Sequence, residues 1–177
     1  HFFTGNHDLW TFGYFEKEIG LKVHKEPIKI ELQGKKCFIG HGDGLGPGDR
    51  GYKFLKKLFT NRLCQWLFSK FLHPSSSFSI ANYFSDKSRI SNLEIKKSFQ
   101  GEEKEWLVKY SKEILSSEHF DYFVFGHRHL PLDIKLTEKS RYINLGEWIN
   151  YYSYGVLKDG HFELKFFKSA FSKAINK

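Results

Sequence analysis

Apolar residues follow two rhythms along the chain, and the rhythms separate strands from helices. From Pro27 to Leu32 the pattern alternates, with Ile28, Ile30 and Leu32 on one side and Lys29 and Glu31 on the other. Period two predicts a half-buried strand. Gln33-Gly34 then reads as a tight turn, and Lys35–Gly40 returns as the next strand. Asp121–Phe125 is an unbroken apolar run after one charge and reads as a further strand. A strand containing Ile134 and Leu136 follows, then one from Arg141 to Leu145. Tyr151–Leu157 and His161–Phe167 flank Asp159-Gly160 and predict a hairpin. At the start, His1-Phe2-Phe3 reads as the end of a buried strand.

The helical rhythm occurs in three places. Leu9–Glu18 gathers Trp10, Tyr14 and the Phe15/Ile19 pair near one face, with Gly20 as a stop. Glu102–Ser117 carries a stripe of Trp106, Leu107, Tyr110, Ile114 and Leu115, with Glu102, Glu103 and Glu105 in the first turns, where the helix dipole favours acids. Between them, Tyr52–Leu72 repeats Phe54, Leu55, Leu58, Phe59, Leu63, Trp66, Leu67 and Phe71 at helical spacing, interleaved with lysines. His73-Pro74 ends that element. Phe78–Phe84 is another aromatic segment, and Asp86–Phe99 is polar and weakly periodic. Residues 50–100 therefore read as a helical insertion between two strands of one sheet, and the fold class as α/β.

Composition narrows the picture. With 177 residues, 40% of them hydrophobic, the chain can bury the core of one domain. No uninterrupted apolar stretch is long enough to span a bilayer. The formal charge of +8 favours an anionic partner, although a solvated lysine-rich surface accounts for charge alone. Cys37 and Cys64 show no metal-binding spacing and read as separate thiols. The chain has no Met and starts inside a motif, as a piece of a longer protein would.

Candidate chemistry lies in three turns, each just after an apolar strand. They are Gly5-Asn6-His7-Asp8, His41-Gly42-Asp43 and Gly126-His127-Arg128-His129. Strand ends are where a sheet brings distant residues to one edge. Asn6, His41, His127 and His129 offer neutral nitrogen and oxygen donors, suited to Mn²⁺, Fe²⁺, Zn²⁺ or Co²⁺. Asp8 and Asp43 directly follow candidate groups and are placed to orient them. For Arg128 the simplest reading is a solvated spacer.

These blocks, in this order, resemble the last three blocks of the calcineurin-like metallophosphoesterases. The resemblance implies a two-sheet α+β sandwich flanked by helices, with two metal ions. Residues 1–177 would be the C-terminal majority of one such domain, without its N-terminal βαβ part. By matching position, Asn6, His41 and His127 would hold one metal. His129 would hold the other, whose remaining ligands precede this chain. His7 would touch the scissile phosphate, held by Asp8. Gly5-Asn6-His7-Asp8-Leu9-Trp10, His41-Gly42-Asp43-Gly44-Leu45-Gly46 and Asn144-Leu145-Gly146-Glu147-Trp148 narrow the resemblance to bacterial UDP-2,3-diacylglucosamine diphosphatases. The better-known branch of these has Arg at the position of His7, and Asp is expected where Glu147 stands. That branch implies cleavage of a nucleotide-sugar lipid to UMP and 2,3-diacylglucosamine 1-phosphate in lipid A biosynthesis, with Mn²⁺ as the expected ion. It further implies a lid at residues 50–100 over the acyl chains, and a cytoplasmic enzyme peripheral to the bacterial inner membrane with no nucleic-acid partner. The 177 residues alone would be inactive and bind at most one metal weakly. Two other classes remain open at this point: a metallophosphoesterase for another phosphodiester or phosphomonoester, and a non-catalytic scaffold of the same fold.

Overall fold

The computed structural model describes residues 1–48, 50–73, 75–77, 79, 82 and 99–167. The chain forms two compact units, one from residues 1–48 and 99–177 and the other from 49–98.

The larger unit is built on a five-stranded mixed sheet. Its strands, with the short pair that precedes them, are β1 (Phe2–Phe3), β2 (Val23–His24), β3 (Ile28–Leu32), β4 (Lys35–Gly40), β5 (Tyr122–Phe125), β6 (Pro131–Thr137) and β7 (Ser140–Leu145). The main sheet has the order β3-β4-β5-β7-β6, and β1 pairs separately with β2. Strands β4, β5 and β7 run parallel, flanked by antiparallel β3 and β6. The central strand is β5, and all four of its residues are buried. That is why its sequence shows no alternation. Between β3 and β4, Gln33 and Gly34 both take positive φ, 52° and 72°, as a two-residue hairpin turn requires.

Side chains alternate across β4, β5 and β7 and so feed two cores. On one face Phe38, Phe123, Phe125 and Tyr142 pack with Phe120 and with Leu107 and Val108 of a helix. Phe38 is the hub, with the rings of Phe120, Phe123, Phe125 and Tyr110 at 5.5–6.1 Å. On the other face Cys37, Tyr122, Val124 and Ile143 meet Leu157, Phe162 and Leu164 of a hairpin, β8 (Ser153–Lys158) and β9 (His161–Phe166). A mixed sheet covered by a helix on one side and a two-stranded sheet on the other agrees with the expected α/β class. Burial, helped by Asp121, raises the Cys37 thiol to about 11, and both cysteines are free.

Two helices differ from the sequence pattern. The first, α1, is only Tyr14–Glu18. Phe12 and Gly13 adopt φ of 48° and 78°, which no right-handed helix contains, so Leu9–Phe12 is not helical. The expected helix from Glu102 to Ser117 is a 3₁₀ turn at Glu102–Lys104 and then a helix at Trp106–Leu115, separated by an extended Glu105. The Glu105 carboxylate does not cap the helix; it pairs with Arg128.

Within the second unit, α2 (Arg50–Thr60) and α3 (Arg62–Phe71) divide the helical pattern. Asn61 makes the division. Its side-chain oxygen accepts from Leu63 N at 2.9 Å and Cys64 N at 3.2 Å and starts a new helix. Neither helix has a buried residue. In chain order, the helix at Trp106–Leu115 is α4. Most of Phe78–Phe84 and of Asp86–Phe99 lies outside the described residues.

Candidate metal centre

The parallel strands fix where the candidate site forms. His41 directly follows β4, Gly126 follows β5 and Gly146 follows β7. Because these neighbours are parallel, all three chain exits leave the same edge of the sheet. Thr4 brings the fourth piece, with its N–H donating to His24 O at 2.9 Å.

Backbone hydrogen bonds lock the exits together. The Gly126 N–H donates to the His41 carbonyl at 3.0 Å. The Gly126 carbonyl accepts from Arg128 N at 2.7 Å, closing a three-residue γ-type turn around His127. It also accepts from the side-chain amide of Asn144, which is wholly buried at the end of β7. The Asn144 carbonyl oxygen in turn accepts from Gly146 N at 3.2 Å. One amide side chain thus ties the histidine turn to the neighbouring strand end.

The histidines are held in costly conformations. His127 and His129 have φ of 61° and 55°. Left-handed backbone costs an L-residue about 1–2 kcal/mol, so the surroundings must impose it. Arg128, between them, turns inward. Its Nε and Nη2 donate to the two oxygens of Glu105, both at 2.8 Å, with side-chain exposures of 18% and 4%. Hydrogen bonding to Glu105 outweighs burial and raises the Arg128 pKa. Arg128 is therefore no solvated spacer, because Glu105 offers it a fork of two acceptors from the start of α4.

His41 and His127 come together, their rings 5.3 Å apart and steeply inclined at 68°. Nε2 of His41 and Nδ1 of His127 are buried atoms. Gly5 lies against the same ring: a Cβ there would sit 2.6 Å from both Cε1 and Nε2 of His41. Asn6 is half-buried on the same turn, and Asp43 is buried beside Gly42. His7, Asp8 and His129 are carried on these turns with exposed side chains. Among the described residues, no three His, Cys, Asp or Glu side chains are grouped as a metal site would be. The expected set needs no such trio, because Asn6 is an amide and only two imidazoles converge. Its fit to a divalent cation rests on the neutral N/O donors that the set offers.

Glu147 extends the same edge. Burial alone would raise its pKa, but backbone N–H groups of Asn150, Ile149 and Tyr151 donate to it and the net shift is downward. That carboxylate shapes the 147–151 turn, whose Trp148 meets Tyr152 and Tyr154 edge-on and Phe167 at a tilt, with ring centroids 5.9–6.0 Å apart. Neither Asn144 nor Glu105 stands out in a search for ligand types. The available sign of Asn144 is one polar residue at the inner end of an apolar strand.

The chain is similar to UDP-2,3-diacylglucosamine hydrolases. It is 38% identical over 169 residues to the protein of that name from Porphyromonas gingivalis, covering 88% of this chain and 64% of the relative. A Shewanella protein with the same name is 28% identical over 148 residues, which is 84% of this chain and 59% of the relative. The Aeromonas salmonicida one is 25% identical over 169 residues, 93% and 64% respectively. The chain thus spans roughly three-fifths of these curated relatives. No protein-family model matches it.

Proposed function

We propose that the protein is a metal-dependent phosphoesterase of the calcineurin-like kind. It hydrolyses the pyrophosphate of UDP-2,3-diacylglucosamine, releasing UMP and 2,3-diacylglucosamine 1-phosphate. The observation that carries this reading is the meeting of Gly5, His41 and His127 at one sheet edge. It occurs in a chain 38% identical to a protein named for that substrate.

In this reading Asn6, His41 and His127 would hold one divalent cation and His129 would contribute to a second. Mn²⁺ suits the neutral N/O donors, with Fe²⁺ or Zn²⁺ as alternatives. When bound, such cations supply Lewis-acid stabilisation of phosphoryl charge and ionise water near neutral pH. The chain's own residues do the remaining work. Gly5, lacking a side chain, lets the His41 ring pack directly against it. Asn144 holds the Gly126 carbonyl and with it the start of the histidine turn. His7 meets the scissile phosphate and assists departure of the leaving group, with Asp8 orienting it.

The second unit serves this reading as a lid over acyl chains. Residues 50–73 contain six Lys or Arg and no Asp or Glu. Phe54, Leu63, Trp66 and Phe71 on α2 and α3 are each more than half exposed. A basic, apolar helical surface suits contact with lipid and with anionic headgroups. No helix among the described residues is long and apolar enough to cross a membrane. The enzyme would work at the cytoplasmic face of the bacterial inner membrane as a peripheral protein, on a nucleotide-sugar lipid and not on nucleic acid.

The test uses the protein at its natural length with Mn²⁺ and UDP-2,3-diacylglucosamine in mixed micelles, following UMP release by ³¹P NMR. Steady turnover that disappears in His41→Ala, with the thermal transition retained, is expected. Failure on this lipid together with cleavage of a cyclic nucleotide would overturn the substrate assignment.

A further inference from the structure

The residue between the two candidate histidines has a side chain directed away from water, and its partner comes from a different element. Arg128 reaches Glu105, which interrupts the expected helix and is itself buried at 3% exposure. A fork-to-fork pair fixes orientation as well as distance, which a single hydrogen bond does not. Both neighbours of Arg128, His127 and His129, are left-handed. The Arg128 N–H donates to Gly126 O, so one residue closes the turn through its backbone and anchors it through its side chain. Across the turn, Asn144 holds the same Gly126 carbonyl from β7. The turn is therefore fastened at one end to the sheet and at its middle to the start of α4.

We propose that Glu105 and Arg128 are positioning residues. Their bidentate ion pair holds the Gly126–His129 turn in its left-handed course and so sets His127 and His129 for metal binding. The metal half of this statement rests on the proposed function; the conformational half rests on the geometry alone. Lysine in place of Arg128 would keep the charge and lose the fork. Glutamine in place of Glu105 would keep the shape and lose the ion pair and one of the two acceptors of the fork.

Two readouts on the protein at its natural length separate the halves. Amide hydrogen exchange reports the Gly126 and Arg128 N–H groups, both of which are bonded. In Glu105→Gln and Arg128→Lys these amides should exchange at least about tenfold faster, while those of Phe123 and Ile143 in the sheet stay unchanged. Mn²⁺ titration, followed by the loss of the free-ion electron paramagnetic resonance signal, should show about 10–100-fold weaker binding in the same variants, the range for groups that orient metal ligands. Glu105→Asp, which keeps the carboxylate, should recover part of both. Exchange at the turn that matches wild type in both variants would overturn the clamp. So would faster exchange spread equally over the sheet, since that is general loosening. If wild type itself binds no Mn²⁺, the metal reading fails, and the exchange experiment still decides whether the pair holds the turn. Normal Mn²⁺ affinity with a loosened turn would overturn the link from clamp to metal.

Discussion

Gly5→Ala is the substitution whose outcome the geometry determines most directly. The added methyl would lie 2.6 Å from two atoms of the His41 ring and 2.9 Å from a third. Ordinary contact starts near 3.4 Å, so about 0.8 Å must be found. The ring has little space to retreat, because His127 faces it at 5.3 Å. Alternatively the Thr4–Asn6 backbone withdraws and strains the Thr4 N–H bond to His24, now 2.9 Å. Overpacking of this kind costs about 1–3 kcal/mol. For a chain of this length a 2 kcal/mol loss lowers Tm by about 4–8 °C. The assay is a double-mutant cycle of Gly5→Ala and His41→Ala, read by urea and thermal melts. Removing the ring removes the obstacle. Gly5→Ala should therefore be neutral or slightly stabilising in the His41→Ala background, where alanine lowers the entropy of the unfolded chain. A coupling of about 1–3 kcal/mol is expected, the double variant being more stable than the sum of the singles. Additive effects, or a Gly5→Ala protein as stable as wild type, would refute the proposed contact between the two turns.

Two other variants test neighbouring parts of the edge. Asn144→Ala removes the donor to Gly126 O and the acceptor for Gly146 N in a fully buried position; a loss of about 1–3 kcal/mol in urea melts is expected, together with weaker Mn²⁺ binding. For Glu147 the folded pKa lies below the ordinary carboxylate value, so folding favours the ionised form. Its stabilisation is complete above the unfolded pKa and is lost as pH falls through the folded one. Glu147→Gln should lower Tm at pH 7 and flatten the decline of Tm on the acid side, and an unchanged acid limb would contradict the assignment.

What the sequence reveals depends on the range of the forces involved. Strands β3 to β9 follow from alternation or from a continuous apolar run, because cross-strand packing leaves its mark at every second residue. The Gln33-Gly34 and Asp159-Gly160 turns follow from backbone sterics, which are local. His41 and the His127 turn can be found from their position after apolar strands. Glu105 is different. Its spacing within 102–117 suits a helix, and only a partner 23 residues away takes it out. The Phe12-Gly13 break and the Asn61 cap are local, yet each is hidden inside a convincing apolar stripe. The stripe records which face is oily and says little about where one helix stops. Asn144 escaped a role for the same reason as Glu105: its acceptor, Gly126 O, is 18 residues away in the turn after β5.

The pairing of β4 with β5 has an evolutionary consequence. These strands are adjacent in the sheet, yet Gly40 and Tyr122 are separated in the chain by α2, α3 and everything around them. Closing so long a loop costs entropy that grows only with the logarithm of its length. Deleting or doubling the 49–98 unit would change that cost by less than about 1 kcal/mol. The sheet edge that carries His41 and His127 is therefore nearly indifferent to the size of what is inserted between them. Lineages could rebuild the inserted unit while inheriting the histidine turn unaltered.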